Sequence, residues 1–180
     1  ELLNIFDEIN KIEFTSSTDN YQISKKRDDW FINDNSFPAN KKKINDFLFK
    51  VSELKLIEKK TSEEKYFSNL GLDIPVKKSK QTIHIKSYDK KGNSLFSFVI
   101  GNKSKIDKND DIYYFRKSDS LQAWLFFNDF KFINNKIYWA NIDKINIERW
   151  RVKKVLVNNN DSTDNFIIDR KSYADQMFNL

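Results

Sequence analysis

The spacing of apolar positions changes period several times along the chain, and each change marks an element. Ile9, Ile12 and Phe14 open an extended segment, residues 15–20 form a polar turn, and Tyr21 to Ser24 return as a second strand. After the charged residues 25–29, Trp30, Phe31 and Ile32 supply a third strand, so a meander is expected up to the break at residues 33–38. Ile44, Phe47, Leu48, Val51 and Leu54 then recur at steps of three and four, which predicts a helix over 41–54 with Asn40 as its N-cap. Leu56 and Ile57 leave it in extended form, and Thr61-Ser62-Glu63-Glu64 predicts the capped start of a short helix running through Tyr66 and Phe67. From Thr82 the period becomes two: Ile83 and Ile85 alternate with His84 and Lys86, residues 89–93 turn, and Leu95 to Ile100 return, with Gly101 expected to end the strand. Residues 112–116 and 121–127 read as further strands, apolar on both faces, so either helices cover both sides or one face meets a partner. The pattern as a whole predicts an α+β domain of antiparallel meanders and hairpins with one long and one short helix.

One stretch concentrates residues that the chain otherwise lacks. Only three glycines and two prolines occur in 180 residues, yet Gly71 and Pro75 fall within Ser68-Asn69-Leu70-Gly71-Leu72-Asp73-Ile74-Pro75. Gly71 sits where a helix C-terminus favours a left-handed residue, and Pro75 prevents helix from resuming. Leu70 and Leu72 are expected to pack this corner onto the core.

The end of the chain repeats its beginning. Ile9, Ile12 and Phe14 match Val152, Val155 and Val157 at an offset of 143, a polar turn follows each, and Asp19-Asn20-Tyr21 then matches Asp164-Asn165-Phe166. An offset that long is a domain-sized repeat. The expected organisation is a first α+β unit over 1–148 and the opening strands of a second copy over 149–180, packed on the first or truncated. Strands cut off from their own domain leave apolar faces and open edges. Val155 and Val157 are therefore expected to be buried, against the first sheet or in a dimer.

These landmarks, in this order, resemble a bacterial family known only as a domain of unknown function. Its members are typically exported, membrane-anchored proteins, often encoded beside auxiliary ABC-type transporters of the gliding-motility kind. The resemblance rests on Trp30-Phe31-Ile32, Pro38-Ala39-Asn40, Leu70-Gly71-Leu72-Asp73-Ile74-Pro75 and Ile100-Gly101. It continues through Tyr113-Tyr114-Phe115-Arg116, Leu121-Gln122-Ala123-Trp124, Trp139 and Val152, and so covers nearly the whole chain. The Gly-Leu-Asp-x-Pro corner is its most specific piece, although the family more often has an aromatic residue where this chain has Leu70. The resemblance implies an extracytoplasmic setting, with membrane attachment through a segment upstream of Glu1. It implies a partner in a membrane or transporter assembly, or a cell-surface polymer. It brings no catalytic residues.

Composition narrows the chemistry. With 39% hydrophobic and 15% aromatic residues the chain can build a sizeable core. The formal charge of +6 invites a nucleic-acid reading, but the positive residues are mostly lysine, a poorer fork for phosphates and base edges than arginine. Tyr113, Phe115, Trp124 and Phe126 could stack bases on a sheet, yet the runs Lys41 to Lys43, Lys77-Lys78, Lys90-Lys91 and Lys153-Lys154 lie on other elements. No cysteine is present, which removes disulfides, thiolate metal sites and cysteine nucleophiles. No run of eighteen apolar residues occurs.

His84 is the sole histidine, and it is expected on a partly exposed sheet face with no serine placed near it. Asp107, Asn109 and Asp111 carry oxygens at calcium-loop spacing, but Ile112 and Ser118 stand where that loop needs Gly and Glu. The acidic residues 158–164 are explained as the turn of the repeat. Gly71, Gly92 and Gly101 stand alone, so no phosphate-cradling loop and no nucleophile elbow exists. No catalytic, cofactor or metal residues are assigned. The reading is a non-catalytic extracytoplasmic binding or accessory domain, with a basic nucleic-acid-binding domain as the alternative and an unrecognised hydrolase third.

Overall fold

Alternation of buried and exposed positions from Lys11 onward builds the first strands in a computed structural model of the chain, which describes residues 2–33, 37–74, 82–105, 111–127, 135–142, 148–157, 166–175 and Phe178. The chain divides into two compact units, Glu1–Asn141 and Ile142–Leu180.

In the first unit a 3-10 turn (Leu2–Glu8) leads into β1 (Lys11–Ser16), β2 (Asn20–Lys26), β3 (Asp29–Ile32) and the two-residue β4 (Phe37–Pro38). Ser16 closes the first turn: its hydroxyl donates to the Asp19 carbonyl and accepts from the Asp19 amide, both at 3.0 Å. Helix α1 (Lys41–Ser52) follows, with Asn40 capping it through the Lys43 amide at 3.2 Å. Ile44, Phe47, Leu48 and Val51 are buried on one face. Leu54 falls beyond the helix rather than in it and is only partly buried, because the helical bonds end at Glu53.

β5 (Leu56–Lys59) comes next, then a 3-10 turn (Glu64–Tyr66) running into α2 (Phe67–Leu70). The short helix begins later than the Thr61 cap suggested. The Lys60 amide and the Thr61 carbonyl are still in register with Ala123 (2.9 Å each), which holds Thr61 extended. β6 (Ile83–Tyr88), β7 (Ser94–Lys103), β8 (Ile112–Lys117) and β9 (Ala123–Phe127) complete the unit before a 3-10 turn at Lys136–Trp139.

The strands form one nine-stranded antiparallel sheet, ordered β4-β3-β2-β1-β6-β7-β8-β9-β5. The fold is therefore α+β. Helix α1 lies over one face, where Ile12, Phe14, Ile23, Ile85, Phe98, Ile100, Phe115 and Phe126 join its buried residues in the main core. Trp139 folds back into that core against Phe14 and Phe47, and its indole N–H donates to the buried Tyr21 hydroxyl at 2.8 Å. On the opposite face Phe67 and Leu72 pack on Val99 and Ala123. The doubly apolar β8–β9 pair is thus covered on both sides within its own unit.

In the second unit a 3-10 turn (Arg149–Arg151) precedes β10 (Lys154–Val157), which pairs with β11 (Phe166–Asp169) in a separate two-stranded sheet. Val155 is 40% exposed rather than buried, and β10 does not extend the nine-stranded sheet.

Candidate functional site

The Gly71 corner explains itself once its neighbours are in place. Gly71 adopts φ +70° as the C-cap of α2, and its amide donates to Ser68. The neighbouring Leu72 amide reaches back to the Phe67 carbonyl at 2.8 Å. The Ser68 hydroxyl donates to the Asp73 carboxylate at 2.6 Å, which ties the two ends of the turn together. Three side chains then bind the corner to the sheet. Thr82 donates to the Gly71 carbonyl (3.0 Å), Asn102 to the Asn69 carbonyl (3.0 Å), and Arg116 to the Leu72 carbonyl (3.0 Å).

Gly101 does not end its strand, because β7 runs on to Lys103. It lies beneath the corner instead. A Cβ at Gly101 would sit 2.2 Å from the Leu70 carbonyl oxygen and 3.0 Å from that of Gly71. The buried Arg116 spreads its guanidinium over the Phe67 ring at 4.6 Å and also donates to the Ser120 carbonyl at 2.9 Å. The residues of the Leu70–Asp73 stretch, Gly101 and Arg116 are therefore one packing joint, far apart in sequence and joined in space. Pro75 lies outside the described residues.

Chemistry gathers at one other place. His84 is 5% exposed, not on an open face, and it meets two serines that local spacing does not place near it. Its Nε2 is 3.0 Å from the Ser97 hydroxyl and 2.9 Å from that of Ser118, and the two hydroxyls are 2.6 Å apart. The sheet makes this cluster: β6 and β7 pair Lys86 with Ser97, two positions along from His84 with Val99 and so on the same face, and the Ser118 amide donates to the Ser97 carbonyl at 3.0 Å.

A histidine between two hydroxyls has the outline of a nucleophile and its base, but the electrostatics run the other way. Burial, then the positive charges of Lys86 and Arg116, push the imidazole down to about 4, with Glu13 opposing weakly. A general base works best when its pKa lies near the operating pH, and a serine triad places a carboxylate against the imidazole to stabilise its cation. Among the described residues no carboxylate hydrogen-bonds to His84, and the charges that act on it most strongly are the cations of Lys86 and Arg116. The cluster is built to keep His84 neutral.

One opening, bordered by Ser97 and Ser118 themselves, is largely apolar. A cleft of about 890 Å³ lies between the C-terminal end of α1 and the sheet, lined by Val51, Leu54, Leu56, Phe96, Phe98 and Phe115 with Lys117 and Asp119 among its polar residues. Beside it, β5 is the last strand of the sheet and pairs only with β9 among the described strands. All four β5 residues are exposed, Leu56 at 40% and Ile57 at 53%.

The other sequence candidates separate. Phe115 and Phe126 are buried in the main core, so of the four proposed stacking aromatics only Tyr113 and Trp124 keep partial exposure. Lys43 is drawn onto the Tyr138 carbonyl (2.7 Å) and ring, while Lys90 and Lys91 cap the exposed β6–β7 turn. Asp111 pairs with Lys103 at 3.1 Å, and residues 107–110 of the calcium-like loop lie outside the described residues, as do 158–164. Among the described residues no group of three or more metal-ligating side chains comes together. No described helix is long and apolar enough to cross a membrane. No protein family, characterised protein or solved structure matches this chain.

Proposed function

We propose that this chain is a non-catalytic binding domain of an extracytoplasmic, membrane-anchored protein, and that it receives an extended segment of a partner protein from a membrane or transporter assembly. The observation that carries the binding reading is the apolar cleft with an open sheet edge at its side, sharing Leu56. An edge strand offers backbone N–H and C=O groups complementary to another polypeptide, and a neighbouring apolar cleft offers a place for that segment's side chains. A cell-surface polysaccharide would look for polar groups instead, so a protein is the favoured occupant. The non-catalytic part of the reading draws on the cationic surroundings of His84. The setting and the transporter connection draw on the family resemblance.

A photo-reactive residue placed at Ile57, in the full-length protein in its own host, is expected to give a discrete adduct with one partner protein. The same residue at Lys91, on the opposite hairpin turn, serves as control. Equal labelling from both positions, or none from Ile57, would remove the reading. A nucleic-acid adduct would move it to the alternative.

A further inference from the structure

The β10–β11 hairpin reproduces the register of β1–β2 over four residue pairs. In the first unit Lys11, Ile12, Glu13 and Phe14 face Ser24, Ile23, Gln22 and Tyr21. In the second, Lys154, Val155, Leu156 and Val157 face Asp169, Ile168, Ile167 and Phe166. Each β10 residue lies 143 positions after its counterpart and each β11 residue 145, the two extra falling in the turn. The flanking bonds agree as well. The Ile9 amide donates to the Phe6 carbonyl at 3.2 Å and the Val152 amide to that of Arg149 at 3.1 Å. The Lys25 amide donates to the Asn10 carbonyl at 2.7 Å and the Arg170 amide to that of Lys153 at 3.1 Å.

What differs is the neighbour. In the first unit β1 has a strand on each side, β2 and the antiparallel β6, with Phe14 opposite Ile85 and Glu13 opposite Lys86. Among the described strands β10 has β11 alone. Two strands by themselves are marginal in water, and this pair exposes apolar residues on both faces: Val155 at 40% on one, Leu156 at 61% and Ile167 at 45% on the other. Leu156 and Ile167 stand where β1–β2 has the polar Glu13 and Gln22.

We infer that β10–β11 is a second β1–β2 unit and that the edge of β10 that no described strand occupies is a docking site for an antiparallel polypeptide strand of the β6 kind, apolar at alternate positions. The pairing seen on β1 defines the incoming register: an apolar residue opposite Val157, as Ile85 is opposite Phe14. This surface uses none of the residues of the cleft beside β5, and either reading can fail without the other.

The test uses the full chain and a synthetic peptide of its own residues 82–103, the β6–β7 hairpin, with hydrogen exchange read over 152–157. Saturable protection of those amides is expected on adding the peptide. Val157→Asp, which sets a charge against Ile85, should weaken binding at least tenfold, whereas Leu156→Glu, which recreates the facing of Glu13 and Lys86, should leave it within about threefold. Retained protection of the Arg170 amide shows that the hairpin is intact in both variants. No added protection at millimolar peptide overturns the inference, and so do equal effects of the two variants. Protection already present in the free chain that falls on dilution, with the mass halving, would assign the edge to a second copy of this chain instead. Protection by phosphatidylcholine vesicles but not by peptide would assign it to lipid.

Discussion

Acidifying the protein should charge His84 inside its hydroxyl cluster, and the cost can be worked from the structure. The imidazole is held at about 4 against an ordinary 6.5, chiefly by burial and secondarily by Lys86 and Arg116. The folded value is depressed, so between those two values the unfolded chain binds the proton and the folded one does not. The His84 contribution is therefore fully present above about pH 6.5 and is lost progressively as the pH falls toward 4. A shift of that size corresponds to about 3 kcal/mol, and the half-exposed Ser97 and Ser118 lower the expected value to about 2 kcal/mol.

Carboxylates titrate in part of the same range, so the measurement must be a difference. His84→Gln keeps a polar group near Nε2 but cannot be protonated. Urea unfolding of wild type and variant at pH 7.5, 6.0 and 4.5 is expected to show the wild type losing about 2 kcal/mol more than the variant over that span. Parallel loss in the two proteins would refute the burial of a neutral His84 and would leave its imidazolium available to a catalytic Ser97–His84–Ser118 cluster.

Three further outcomes follow from the packing. Gly101→Ala should cost about 2–3 kcal/mol in chemical denaturation, because the new methyl must displace the Leu70 carbonyl, whereas Gly92→Ala, at φ +88° with open space around it, should cost about 1 kcal/mol; equal costs would mean that the corner does not press on β7. Gly71→Val should be more damaging than Gly92→Val, since both force a β-branched residue into a left-handed conformation but only Gly71 also crowds Thr82 and Asn102. Leu48→Ala should cost about 2–5 kcal/mol, and a loss below about 0.5 kcal/mol would mean that the α1 face is not packed as described.

Local patterning was sufficient for most of the elements. The extended apolar segment at 9–14, the period of two from Thr82 and the period of 3.6 at Ile44, Phe47, Leu48 and Val51 each report an apolar face packed on the main core, and such a face is a property of a short segment. Asn40 as a cap and Gly71 as a left-handed stop were legible for the same reason: capping depends on residues two or three positions away. The misreadings share a cause. Thr61 stays extended because Ala123 holds it, β7 passes through Gly101 because Leu70 and Gly71 come down on it, and His84 is buried because Ser97 and Ser118 close over it.

Each of those partners is distant in sequence, and nothing in local spacing encodes which distant strand lies alongside. The repeat was visible as a pattern at residues 9–14 and 152–157. Only pairing in space gives it a register, and shows that β10, among the described strands, pairs with β11 alone. Burial periodicity is written into each segment, whereas neighbours, electrostatics and open edges arise only when the segments meet.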